Sequence, residues 1–306
     1  MAETFIDEIE TLLNRDLPEE ERIPLIEKFR KMYETMDFYV LYNRFLKKEG
    51  YQTLPRRPLE KRKLRYEDVY PVLYLKYRLS RQAERSNIKH LVIDEMQDYS
   101  RLQYLIIRRM FSCKMTILGD RAQTMADHQQ DVLQFLPGIF GKDLRRIEMR
   151  KSYRNTVEIA SYAANLIGVT DLELFERHGM PVLERDVTDL EAALREAVDT
   201  LFPDEKTYET AAVIVPDAKT AERAYLILRE ILAEKDFDCE KRLSWLNRDS
   251  SSFKKGLTVT TFYLAKGLEF DQVFSIFPKD EKREIMMQAQ YIAATRALHE
   301  LRVYHI

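Results

Sequence analysis

An apolar run, Leu91-Val92-Ile93, ends directly in Asp94-Glu95-Met96-Gln97-Asp98. In open parallel sheets, ligands bind beyond the carboxyl ends of the strands. A carboxylate at Asp94 can hold a hydrated magnesium ion, which takes few protein ligands and keeps several waters. Glu95 beside it can orient or deprotonate a water. The plain alternative is a capped helix start, with Asp98 or Ser100 as N-cap and the acids solvated. Another is a metal-dependent nuclease built on Asp94, Glu95 and Asp98, although no lysine-bearing nuclease motif accompanies the acids.

Four further stretches carry chemistry. Gly119-Asp120-Arg121-Ala122-Gln123 follows a second apolar run, and a glutamine there can reach a terminal phosphate; Gly-Asp also makes ordinary turns. Ser152-Tyr153-Arg154-Asn155-Thr156 enters a helix. Tyr291-Ile292-Ala293-Ala294-Thr295-Arg296-Ala297 lies near the C-terminal end of the sequence. Either arginine alone reads as an exposed helix residue. Together, Arg154 and Arg296 can neutralise charge developing on a transferred phosphoryl group. Lys266-Gly267-Leu268-Glu269-Phe270-Asp271 reads as a glycine turn between strands, or as a place where Gly267 admits a ligand to the backbone and Glu269 bonds a sugar hydroxyl.

The elements that must position these residues are of two kinds. Residues 1–86 carry helical periodicity, from Phe5, Ile9, Leu12 and Leu13 through Leu25, Phe29, Met32 and Tyr39 to a stop at Gly50. Pro18 marks a helix start with acids in its first turn, and a second helical pattern runs from Tyr66 to about Arg85. From residue 88 strands and helices alternate. Strands are expected at Leu91–Ile93, Met115–Leu118, Ala211–Val215, Leu257–Thr261, Val273–Phe277 and Leu301–Ile306. Helices are expected at Tyr99–Phe111, Thr156–Ile167, Ala218–Ala233 and Ile285–Leu298, with a loop around Pro137 and Gly141. This alternation predicts parallel sheets with right-handed crossovers in two α/β units that meet near 147–150.

Bulk properties narrow the class. The 306 residues are 45% apolar and 33% charged, with a net charge of −2. The chain is not broadly basic, so nucleic-acid contact would come from local patches. Cys113 and Cys239 fit no metal spacing and read as reduced thiols. No apolar stretch reaches the ~18 residues of a membrane span, and no signal-peptide pattern opens the sequence. A soluble, cytoplasmic protein is expected.

Taken in order, the five stretches resemble the motifs of UvrD/Rep-like superfamily I helicases: Asp-Glu-x-Gln-Asp, Gly-Asp-x-x-Gln, Tyr-Arg-Asn-Thr, Lys-Gly-Leu-Glu-Phe-Asp and Ala-x-Thr-Arg-Ala. The flavour of Tyr263–Asp271 and of Ala297-Leu298-His299-Glu300-Leu301 is most similar to the HelD branch, ATPases that act on bacterial RNA polymerase. The resemblance implies two RecA-like parallel-sheet domains of the P-loop NTPase fold, with ATP and Mg2+ between them. By motif, Asp94 would bind magnesium and Glu95 would activate water. Gln97, Gly267 and Glu269 would belong to the nucleotide site, with Glu269 on the ribose. Gln123 would sense the γ-phosphate, and Arg154 and Arg296 would contact phosphates. DNA, RNA polymerase or both would be the partner.

Three departures qualify the resemblance. No G-x-x-x-x-G-K-[ST] occurs. The chain therefore reads as the C-terminal portion of a longer protein, its first domain incomplete, inactive alone and binding no cofactor by itself. Residues 1–86 would be a helical arm, 87–148 the rest of the first domain and 149–306 the second. Next, Thr124-Met125-Ala126-Asp127-His128 follows Gln123, with no aromatic to stack on a single-strand base. Finally, about 100 residues between Asn155 and Leu257 leave no room for the large inserted subdomain of UvrD and Rep. A natural short protein that keeps the fold to bind RNA polymerase or DNA without catalysis is the competing reading. The basic segment Arg56–Arg65 reads as a solvated loop, or as a contact for nucleic acid or an acidic protein face. Trp245 has no assignable role, and His128 and His178 fit no ligand pattern.

Overall fold

The computed structural model describes residues 2–32, 35, 37–79, 85, 87–120, 123, 131–149, 151–169, 173–202, 208–235, 237–248, 250, 255–279 and 284–306. Thr124–His128, with His128, lie outside the described residues, as do 86 and 150 at the expected domain edges. The chain forms two compact units. Unit 1 holds Met1–Gly119 and Gln130–Leu144; unit 2 holds Asp120–Gln129 and Arg145–Ile306. Among the described residues, no helix is long and apolar enough to cross a membrane.

Unit 1 begins with helices α1 (Ala2–Leu13), α2 (Glu19–Lys31), α3 (Phe38–Lys48) and α4 (Tyr66–Leu79). Pro18 occupies the N-cap of α2 and Asp37 caps α3 through Tyr39 and Val40. Tyr42 and Leu46 of α3 pack with Leu54, Val72 and Leu75. Buried Asp68 accepts from the Tyr42 hydroxyl at 2.8 Å and from Arg65 at 2.6 Å. Burial, then the Asp68 hydrogen bond, pushes the Tyr42 hydroxyl up to about 12.

Strands β1 (His90–Ile93) and β2 (Lys114–Ile117) pair in parallel, Ile93 opposite Ile117. Helix α5 (Arg101–Met110) joins them. Ser100 caps α5 in a capping box with Gln103, so the capped-helix reading holds for that residue. Helix α6 (Val132–Phe140) replaces the loop expected around Pro137. Val132, Phe135 and Leu136 lie buried against Ile93 and Tyr104, and that apolar burial, at about 2 kcal/mol per side chain, outweighs one lost helical hydrogen bond.

Unit 2 contains a short parallel pair, β3 (Lys151–Ser152) with β4 (Glu173–Leu174), flanking α7 (Val157–Leu166). Its main elements are β5 (Leu183–Asp186), α8 (Leu190–Asp199), β6 (Thr210–Val215), α9 (Ala218–Ala233), α10 (Cys239–Arg242), β7 (Leu243–Trp245), β8 (Gly256–Thr261), β9 (Phe270–Phe277), α11 (Glu284–Thr295) and β10 (Ala297–His305). Six strands form one parallel sheet in the order β5-β10-β9-β6-β8-β7. Alternate residues of β6 serve opposite faces. Ala211, Val213 and Val215 join α8 and α9, whereas Ala212 and Ile214 join α7 and α11. This is the expected α/β class, a parallel sheet covered by helices on both sides.

Several expectations shift at their edges. The helix expected to reach Leu298 ends at Thr295, because β10 starts at Ala297. Elements β5, α8 and β7 were not anticipated. Trp245 ends β7 and stacks on Tyr225, ring centroids 5.9 Å apart.

Candidate functional site

In unit 1 the carboxylates sit at the tip of β1. The Ile93 carbonyl accepts from Leu118 N–H at 2.8 Å, and Met96 N–H donates to the Leu118 carbonyl at 2.8 Å. The tight turn between them forces Glu95 to φ 51, a left-handed conformation rare for a residue with a long side chain. Asp94 is exposed, and its Oδ1 accepts from Glu95 N–H at 2.8 Å. Buried Gln97 donates to Glu95 Oε2. Gly119 closes the turn, since a Cβ there would stand 2.5 Å from Gln97 Oε1 and 2.6 Å from the Met96 nitrogen. The Tyr104 hydroxyl braces the turn from α5 by donating to the Met96 carbonyl at 3.1 Å.

In unit 2 the remaining candidates meet at the junction of α11 and β10. Arg296 is 1% exposed. Its guanidinium donates to Gln123 Oε1 (3.3 Å), Leu268 O (3.4 Å), Ile292 O (3.3 Å) and Thr295 Oγ1 (3.1 Å). Gln123 also donates to Asp120 Oδ2 at 2.9 Å, which accepts from the Tyr291 hydroxyl at 3.0 Å. Burial, then the Asp120 charge and hydrogen bond, pushes the Tyr291 hydroxyl well above its ordinary value. Glu269, next to Leu268, pairs with Arg154 at 2.6 Å, both side chains being close to half exposed. Gly267 has φ +77, which a glycine adopts without strain.

Three residues that hold this junction were not singled out from the sequence. Asn155 donates to Ala297 O at 2.6 Å and Thr295 O at 3.3 Å. Arg177 donates to the carbonyls of Arg154 and Leu298, each at 2.5 Å. Tyr291 reaches Asp120 as above. Asn155 and Tyr291 lie inside quoted motifs, so the signal was present. Arg177 lies between β4 and β5 in a stretch with no periodicity to mark it.

These geometries test the implied ligands. One exposed carboxylate at Asp94 suits a magnesium ion that keeps most of its waters. Among the described residues no group of three His, Cys, Asp or Glu is placed to hold a metal ion. A triphosphate is not fitted by the residues present. The sequence lacks the phosphate loop, and Arg296 and Arg154 already hold protein acceptors.

Residues 3–129 match the UvrD/REP helicase N-terminal domain family. That stretch contains Asp94, Glu95, Gln97 and Gln123, and it supports a relationship to UvrD-like helicases. No curated protein matches the chain. Among solved structures, the C-terminal domain of a possible DNA helicase from Lactobacillus plantarum WCFS1 is 24% identical, with a TM-score of 0.40 over 51% of this chain and 88% of that one. The PRRSV helicase is 16% identical, with a TM-score of 0.40 over 74% of this chain and 36% of that one. An arterivirus nonstructural protein 10 (helicase), in complex with DNA, is 14% identical, with a TM-score of 0.37 over 73% of this chain and 41% of that one. The chain thus spans about two fifths of the length of those two viral helicases.

Proposed function

We propose that the chain is part of an ATP-dependent superfamily I translocase of the HelD branch, coupling ATP hydrolysis to movement on nucleic acid or to remodelling of RNA polymerase. Residues 1–86 act as a helical arm, the rest of unit 1 as the remainder of a first RecA-like domain and unit 2 as the second. The observation that carries this reading is the linkage in unit 2 of Gln123, Arg154, Glu269 and Arg296. Arg296 bonds Gln123, 173 positions away, and the carbonyl of Leu268, whose sequence neighbour Glu269 pairs with Arg154. Residues of these types in this order are what the helicase resemblance requires.

Asp94 is the carboxylate for magnesium, which supplies charge neutralisation at phosphate oxygens when bound. Glu95 is the neighbouring base for a water. Unit 1 needs further chain to complete its sheet, since Val92 and Leu118 stay 61% and 47% exposed where a parallel sheet is normally covered. The phosphate cradle therefore comes from outside these residues, and the chain alone does not turn over ATP.

The test starts with the coding sequence upstream of Met1 and with ATP turnover. The expected result is no turnover by the 306-residue chain above that of Glu95→Gln, and turnover abolished by Glu95→Gln once an in-frame phosphate loop is restored. Turnover by the chain alone that Glu95→Gln removes would overturn the missing-cradle argument. The lack of any encoded phosphate loop, with binding to RNA polymerase or DNA intact, would favour a non-catalytic interaction module.

A further inference from the structure

The segment between α3 and α4 takes no part in the site above, yet it is built rather than loose. Between residues 55 and 65 it carries Arg56, Arg57, Lys61, Arg62, Lys63 and Arg65 against one acid, Glu60. Its ends are anchored. Asn43 brackets Leu54, accepting its N–H at 2.7 Å and donating to its carbonyl at 3.2 Å. The Tyr39 hydroxyl donates to Pro55 O at 2.7 Å. Arg62 works as an internal staple: it pairs with Asp37 at 2.7 Å, lies 4.7 Å over the Tyr39 ring and donates to Arg57 O at 3.0 Å.

The result is a cleft of about 350 Å3 over buried Leu54, lined by Gln52, Thr53, Pro55, Arg57, Lys63 and Arg65. Arg65 is shared with Asp68 and Glu67. Arg57 and Lys63 are exposed and form no ion pair among the described residues. Fixing like charges around one concavity is unfavourable until an anion enters it. Tyr51 and Tyr66, next in sequence to the lining residues Gln52 and Arg65, are 65% and 78% exposed. Tyr70 steadies the Tyr66 ring edge-on at 6.0 Å. A basic groove with exposed aromatic residues beside it in the chain suits a single strand, with phosphates on the cations and bases on the rings.

We propose that this cleft binds single-stranded nucleic acid, its backbone on Arg57 and Lys63 and its bases on Tyr51 and Tyr66. The site relocates strand contact to the helical segment, and it stands on unit 1 geometry independently of nucleotide hydrolysis.

The test is nucleotide-free anisotropy titration of the full chain with a labelled oligo-dT of about 20 nucleotides. Arg57→Ala/Lys63→Ala should weaken binding about tenfold and flatten the log K against log salt slope by about 1.4, from about 0.7 per phosphate contact on a single strand. Tyr66→Ala should weaken single-strand binding about fivefold, as loss of one stacked base predicts, and leave duplex binding unchanged. Lys28→Ala/Lys31→Ala removes the same charge from α2 and should change nothing. Thermal melts matching the parent chain confirm that all variants fold. An unchanged salt slope, an equal loss in the α2 control, duplex bound as tightly as single strand, or polyglutamate held in preference to oligo-dT would each overturn the proposal. Because no ATP is present, failure here leaves the hydrolysis reading standing, and the converse holds.

Discussion

The carboxylate turn of unit 1 and the arginine junction of unit 2 are built on opposite plans. The turn is local: Asp94 to Gln97 and Gly119 are held by two short strands, one acid is exposed and its neighbour is strained. The junction is long-range: Asn155 bonds a carbonyl 142 positions away, Arg296 a side chain 173 away, and the central guanidinium is sealed from water. In the first region the Asp94 carboxylate is exposed, while in the second the Arg296 donors are taken up by protein. The lesson is that a charged motif residue can be a ligand-facing group or a structural clasp, and burial with its partners distinguishes the two.

That contrast can be broken by substitution. Arg296→Ala carries the largest expected effect, a loss of about 3 kcal/mol in urea unfolding, because Gln123 Oε1 and the Leu268 and Ile292 carbonyls are left buried without their donor. A loss below about 0.5 kcal/mol, typical of an exposed side chain, would put Arg296 in the same class as Asp94. Asn155→Ala should cost about 2 kcal/mol by the same measurement, since it orphans the Ala297 carbonyl at the start of β10. Glu95→Gly should move the other way, raising stability by up to about 1 kcal/mol as the left-handed strain is relieved. A destabilising result there would mean that the Gln97 contact outweighs the strain.

The smallest expected effect is on pH dependence. Hydrogen bonding from His178, then backbone amides that include Gly179, holds the Glu158 carboxyl at about 2, below its ordinary 4.5. Its folded value lies under its unfolded one, so this contribution is present above about 4.5 and disappears as pH falls through about 2. Glu158→Gln should therefore show a shallower loss of stability than the parent chain across that acid window. Matching curves would show that solvent screens the contact completely.

Much of the architecture was legible because the central strands are buried runs of apolar and β-branched residues. Ala211–Val215 coincides with the buried core of β6, and Leu257–Thr261 lies within β8. β5 escaped notice because Leu183-Glu184-Arg185-Asp186 is largely polar, a strand at the sheet edge exposed over most of its length. Pro137 misled because proline ordinarily breaks helices, yet α6 carries it in a core-facing segment. The candidate site residues were legible as residue types at motif spacing. Their partners were not: nothing local in the sequence tells that Arg296 points at Gln123, or that Arg177 clasps the carbonyls of Arg154 and Leu298.

Asp120 and Gln123 belong to unit 2 although unit 1 flanks them on both sides in sequence. The polypeptide thus passes between the units three times, and no single cut separates them. A fragment starting at residue 145 would leave the Tyr291 hydroxyl without its acceptor and Arg296 without Gln123. Modular exchange of this unit between proteins has to carry the ten-residue strip Asp120–Gln129 along with it.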